Sequence, residues 1–107
     1  MKLLKFHPLI LVFLIAPLIS AAEDLKYAVI PSDGFVPNKA TAVKIAEAVW
    51  VPIYTQKVID SEKPFHASLK DGVWTVEGTI PKGDEGGVAL AEISKADGRI
   101  IRVTHGQ

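Results

Sequence analysis

The segment NKATAVKIAEAVWV, Asn38 to Val51, repeats its apolar residues at three- and four-residue steps. Ala42, Ile45, Ala46, Val49 and, just beyond, Ile53 fall on one stripe of a helix, with Lys39, Lys44 and Glu47 elsewhere on its circumference. Asn38 stands where a side chain accepts from the free amides of the first turn, so it reads as the N-cap. Ala40, Ala42, Ala46 and Ala48 lose little side-chain entropy in a helix and let a neighbouring surface approach closely. Pro52 lacks an amide hydrogen and disfavours helical geometry at Val51. The helix is therefore expected to stop or kink there, with Ile53 and Tyr54 forming an irregular turn.

The surface that packs on this helix must come from the strands that follow. From Phe65 the period switches to two: Phe65, Ala67 and Leu69 alternate with His66, Ser68 and Lys70. Asp71-Gly72 is a favoured two-residue hairpin turn, because both positions need positive φ. That turn sets a register in which Lys70 opposes Val73, Leu69 opposes Trp74, Ala67 opposes Val76 and His66 opposes Glu77. Phe65, Ala67, Leu69, Trp74, Val76, Gly78 and Ile80 then share one face. Pro81 to Gly87 reads as a glycine-rich loop and Val88 to Ser94 as a third strand. Ala96-Asp97-Gly98 fits a three-residue turn with Gly98 in the left-handed region. The last pairing then sets Ile93 against Ile101, Ala91 against Val103 and Ala89 against His105, with Glu92 meeting Arg102 on the other face. The fold class that follows is α+β: one N-terminal helix packed on a four-stranded antiparallel meander. Trp50 and Trp74 read as core.

Upstream, Leu25 to Ile30 is apolar with β-branched residues and reads as an edge strand or as an extended arm. Pro31, Asp33-Gly34 and Pro37 mark a loop, and Phe35 and Val36 are placed to pack back on the first turns of the helix. Thr55 to Pro64 is polar apart from Val58 and Ile59 and reads as a connection.

The N-terminus has a different character. Two lysines within Met1 to Lys5, the apolar run Leu9 to Ala16 and the small residues Ser20-Ala21-Ala22 form the pattern of a secretory signal peptide over residues 1–22. Cleavage is expected after Ala21 or Ala22; the alternative is an uncleaved anchor, for which the run is short against the roughly 20 residues of a membrane span. Residues 23–107 would then form a single exported domain, periplasmic or secreted, touching the membrane only through the signal segment before cleavage. The chain has no cysteine, so neither a lipid anchor nor a disulfide framework is available, and the core must close by packing alone. Without Lys2 and Lys5, ten basic residues face twelve acidic ones, too small an imbalance for a nucleic-acid binder.

Three stretches, DGFVPNKATAVKIAEAVWVPIY (Asp33 to Tyr54), KPFHASLKDGVWTVEGTIPKG (Lys63 to Gly83) and GGVALAEISKADGRIIRVTHG (Gly86 to Gly106), resemble the NTF2-fold immunity proteins of bacterial polymorphic toxin systems. The resemblance implies a helix on a curved antiparallel sheet, abridged here to an NTF2-like or cystatin-like core. It implies binding of a cognate toxin protein and no catalysis. Thr55 stands where the resemblance implies a glycine after Tyr54, and Asp84-Glu85 makes the glycine-rich loop more acidic than the resemblance implies. A small-ligand-binding module is the other class, since such sheets often curve around an apolar pocket.

The chemistry-bearing residues fit binding better than catalysis. His66 opposite Glu77 lies on an outward face, without the cleft that acid/base chemistry needs. His105 points to the core side at a strand end, where a hydrogen-bonded structural role is expected. His66 and His105 are the histidines left after processing, which with no cysteine argues against a zinc site, and no cofactor is implied. The loop Pro81 to Gly87 lacks phosphate-loop spacing, and its Asp84 and Glu85 would repel phosphate. Val88 and Leu90 fall on the polar face of the third strand. Asp84, Glu85, Val88 and Leu90 are therefore the candidate partner-binding residues: an apolar patch with a charged rim.

Overall fold

The computed structural model describes residues 25–106. The signal peptide expected over residues 1–22 lies outside the described residues. Helix α1 spans Lys39–Tyr54 and helix α2 spans Gln56–Ser61. Strands β1 (His66–Lys70), β2 (Val73–Glu77), β3 (Ala89–Ser94) and β4 (Ile100–His105) follow as an antiparallel meander in the order β1-β2-β3-β4. α1 packs chiefly across β1, β2 and β3. This is the α+β architecture expected from the sequence, with a second helix added.

Asn38 caps α1 as expected: its Oδ1 accepts from the Thr41 amide at 2.9 Å and from the Thr41 hydroxyl at 2.8 Å. The buried stripe is Ala42, Ala46 and Trp50, flanked by partly buried Val43, Ile45, Val51 and Tyr54, whereas Ile53 is exposed. The helix does not stop at Pro52. The proline removes one intrahelical bond, to the carbonyl of Ala48 on the solvent side, where water can take it up. The bond from the Thr55 amide to the Val51 carbonyl, 2.9 Å, still closes the last turn.

Thr55 ends α1 with φ 81 and ψ 152. That region is essentially reserved for glycine, and a β-branched residue there is strained. The glycine implied at this position thus has a physical basis, and here threonine occupies it. Its hydroxyl caps α2 by accepting from the Val58 amide at 3.4 Å. The segment read as a plain connection is therefore a short helix, and it inserts the fully buried Ile59 into the core. One buried contact in a polar stretch leaves no periodicity to read.

The first hairpin has the expected register in every pair, from His66↔Glu77 to Lys70↔Val73, with Asp71 at φ 49 and Gly72 at φ 74 in the turn. Trp74 is buried and its indole N–H donates to the Val36 carbonyl at 2.8 Å, fixing the entry to α1. Val36 is the residue that packs back on the helix; Phe35 is exposed. Leu69 and Ile80, expected on the core face, are exposed. Leu69 lies on an edge strand beside the turn, with a neighbour on one side only, and Ile80 lies beyond the end of β2.

In the second hairpin Ala91↔Val103, Ala89↔His105 and Glu92↔Arg102 pair as expected, but Ile93 faces Ile100 rather than Ile101. The loop holds four residues, Lys95–Gly98, between the bonded Ser94 and Arg99, and a bulge restores the register at Glu92/Ile93. Gly98 has φ 76, as the turn requires. Leu25–Ile30 forms no strand; Leu25, Tyr27, Val29 and Ile30 are all largely exposed. None of the helices among the described residues is long and apolar enough to cross a membrane.

Candidate functional site

α2 ends where β2 leaves the sheet and β4 finishes, and these three ends meet around Glu62. Glu62 is 2% exposed, the one buried charged residue among those described. Its Oε1 accepts from the Ala89 amide at 2.6 Å, and its Oε2 lies 3.0 Å from Nε2 of His105. Its backbone carbonyl accepts from the Thr79 amide at 2.7 Å. One residue therefore ties the end of α2 to the exit from β2, the start of β3 and the end of β4. A buried carboxylate is tolerated because both oxygens have hydrogen-bonded partners. His105 is held from its other side by Tyr54, with ring centroids 5.1 Å apart.

Two glycines make the junction possible. A Cβ on Gly78 would stand 2.8 Å from Glu62 Oε1 and 2.9 Å from Glu62 Cβ. A Cβ on Gly87 would stand 1.8 Å from the Gly106 carbonyl carbon, so only glycine lets the loop return beside the end of β4.

Beside this junction opens a cleft of about 540 Å³, walled by Val58 and Ser61 of α2 and Glu62 at its end, by Ile80, Pro81 and Asp84–Gly87 of the loop, and by His105 and Gly106. Three carboxylates line it. Glu62 is locked at the base, while Asp84 and Glu85 are exposed at the rim. The Asp84 amide donates to the Pro81 carbonyl at 3.0 Å, closing a turn. Ser61 also lines the cleft, but its hydroxyl donates to the Val58 carbonyl at 2.6 Å. The His105–Glu62 pair is thus a structural clasp beside a serine engaged by its own helix. Among the described residues no three metal-ligating side chains come together.

The family model for NTF2 fold immunity proteins matches residues 41–107, from the first turn of α1 through the last strand. The chain belongs to the NTF2-fold immunity protein family. It is also similar to an uncharacterized protein, YhhH, of Escherichia coli (strain K12), 41% identical over 73 residues, which are 67% of this chain and 58% of that protein. The chain thus spans somewhat over half the length of that relative. No solved structure matches it.

In this immunity-family fold the four residues singled out from the sequence do not share one surface. Asp84 and Glu85 belong to the cleft. Leu90 lies between the buried Ala89 and Ala91, so its side chain is on the opposite face, half-buried opposite Glu77 and Thr104. Val88 just precedes β3 and is half-buried. His66 is exposed and meets the Thr79 hydroxyl at 3.2 Å rather than Glu77. His105 has the hydrogen-bonded structural role expected of it. Its partner Glu62 escaped the sequence reading because it stands in a polar stretch. The available signal was the spacing of Ile59 and Glu62, three residues apart, behind a threonine able to cap.

Near the cleft, α2 carries an exposed charge cluster. The Asp60 carboxyl is held below the usual range by the Gln56 side-chain amide and then by Lys63, 3.1 Å away. Lys63 is raised above the usual lysine range by the same contact, with Glu47 adding at 3.6 Å.

Proposed function

We propose that this chain is an exported immunity protein that binds and neutralises a cognate bacterial toxin, with Asp84 and Glu85 at the cleft rim among its contacts. The observation that carries this reading is the family match over nearly the whole helix-and-sheet unit. The cleft adds a concave surface with two exposed carboxylates at its rim. Carboxylates on such a rim attract a basic partner and speed association more than they add affinity. A partner that also uses Val88 and Leu90 must lie across the start of β3 and grip it from both faces.

Binding, not catalysis, is the reading assigned here, supported by the engagement of Ser61 with its own helix. The alternative, a small-ligand module, needs a hollow between helix and sheet. Trp50 and Trp74 occupy that place, at 0% and 5% exposure. Export to the periplasm is part of the proposal and rests on the N-terminal pattern. Intact-mass measurement of the periplasmic form tests it: a chain starting at Ala22 or Glu23 is expected, and a mass that includes Met1 contradicts export with cleavage.

The test of function is protection of cells expressing a candidate cognate toxin domain. Asp84→Lys with Glu85→Lys, folded by circular dichroism, should lose protection, while His66→Ala should keep it. Full protection by the charge-reversed variant, or loss with His66→Ala alone, contradicts the proposal.

A further inference from the structure

The cleft beside the Glu62 junction carries charge of one sign. Glu62, Asp84 and Glu85 line it against a single imidazole, His105, so its wall is negative whichever way His105 is protonated. No lysine or arginine is among the described residues that wall it, and Lys82, in the same loop, stays outside. The lysine and arginine ion pairs among the described residues lie elsewhere: Lys63 with Glu47 and Asp60, Arg99 with Asp97, and Arg102 with Glu92. Glu62 is the sharpest case. Its buried carboxylate accepts from the Ala89 amide and meets His105, which fills two of roughly four acceptor positions and brings no permanent positive charge. A cleft of one sign between low-dielectric walls concentrates its field on an entering counter-ion.

The walls are also more apolar than an ion alone requires. Val58 on α2 and Ile80 on the segment leaving β2 are 40% and 51% exposed, both line the cleft, and Pro81 extends the Ile80 side. The apolar surface that Ile80 was expected to give the core thus borders the cleft. At about 540 Å³ the space falls within the roughly 300–1,000 Å³ of sites that take small organic groups. A metal ion would leave this apolar surface uncovered, and among the described residues no three metal-ligating side chains meet. A side chain with an apolar stem and a cationic head covers both features. Arginine suits them best: its methylenes pack along apolar surface, and its planar, weakly hydrated guanidinium takes carboxylates through paired hydrogen bonds.

We infer that the cleft receives an arginine side chain of a protein partner, its stem against Val58, Ile80 and Pro81 and its guanidinium against Asp84 and Glu85. That the arginine belongs to a protein rests on the immunity reading; the charge and the walls of the cleft do not. Two kinds of selectivity follow. The carboxylates reject a neutral isostere, and the apolar wall separates arginine from a cation with no stem. Free arginine carries an α-carboxylate that the rim repels, so a residue within a chain is the better occupant.

The test is a titration of the ¹⁵N-labelled chain with N-acetyl-arginine amide, whose blocked ends leave the guanidinium as its charge. Saturable amide shifts are expected at Ser61, Asp84–Gly87 and Gly106. The citrulline analogue, of the same shape without the charge, should bind about tenfold or more weakly, as should Asp84→Asn with Glu85→Gln. Ile80→Ser, which keeps every carboxylate, should also weaken binding, whereas Glu77→Gln on the outer face should not. Each variant is checked for folding by circular dichroism. No saturable shift, equal binding of the citrulline analogue, or full binding by Ile80→Ser would overturn the inference. Free arginine binding as tightly as the blocked form would do so too, pointing to a small metabolite instead of a protein. None of these readouts involves the toxin, so a failure here leaves the immunity reading standing, and the reverse also holds.

Discussion

The molecule closes its two ends of the sheet by different physics. Under α1 the closure is apolar: Trp50, Trp74, Val76 and Ile93 fill the space between helix and strands, with Trp50 edge-on to Phe65 at 5.3 Å. At the cleft end it is polar: one buried carboxylate, Glu62, joins three chain segments through hydrogen bonds and needs a glycine at 78 to lie against β2. Apolar closure depends on volume and tolerates inexact detail, whereas a polar junction holds only while every partner is in place. The contact surface proposed here is built on the second kind of closure, so a change to the junction should disturb binding before it unfolds the domain.

The largest effect should come from the apolar end. Trp74→Ala is expected to destabilise by about 3–5 kcal/mol, whereas Thr75→Ala on the outer face should cost well under about 1 kcal/mol. Urea melts of the two variants measure this, and equal losses would break the assignment of faces. Glu62→Ala comes next, at roughly 2–3 kcal/mol, because it strands the Ala89 amide and His105 together. Glu62→Gln, which keeps the shape and an acceptor, should lose clearly less. If both lose the same, the junction depends on charge rather than on hydrogen-bond geometry.

Thr55→Gly should act in the opposite direction. Relief of the strained φ is worth roughly 1–3 kcal/mol, and replacing a threonine cap by glycine costs only a few tenths. A net gain of about 1 kcal/mol in a thermal melt is expected, and a loss would mean that the threonine hydroxyl outweighs the strain. The smallest effect belongs to Asp60. Its folded carboxyl titrates below the ordinary 3.8, so it adds stability above that value and loses it as the pH falls through the lowered one. The contribution is minor because the group is fully exposed. The difference between the chain and Asp60→Asn should be visible near neutrality and vanish in acid.

This contrast also explains what was legible in the sequence. The first hairpin was readable to the residue because Asp71-Gly72 fixes its turn and period-two alternation fixes its faces. The second was readable apart from one bulge, since a four-residue loop and a three-residue loop carry the same Asp97-Gly98 signal. Pro52 misled because a proline in a last, solvent-facing turn costs one bond and no packing. α2 and Glu62 were invisible because a polar junction is made by one residue and its distant partners, Ala89 and His105, none of which makes a pattern along the chain. The acidic loop was noticed, but its placement beside His105 rather than beside Leu90 depends on that junction.

The central claim is that this immunity-family fold presents the Asp84–Glu85 rim of its cleft to a toxin. Calorimetric titration of the purified cognate toxin domain into the chain, alongside the folded Asp84→Lys/Glu85→Lys and Leu90→Lys variants, tests it most directly. Saturable binding that weakens about tenfold or more on reversing the rim charges is the predicted result, and the loss should shrink as salt is raised. Binding of unchanged affinity by the rim variant, with the loss appearing only in Leu90→Lys, would contradict it and move the contact to the outer face of the sheet.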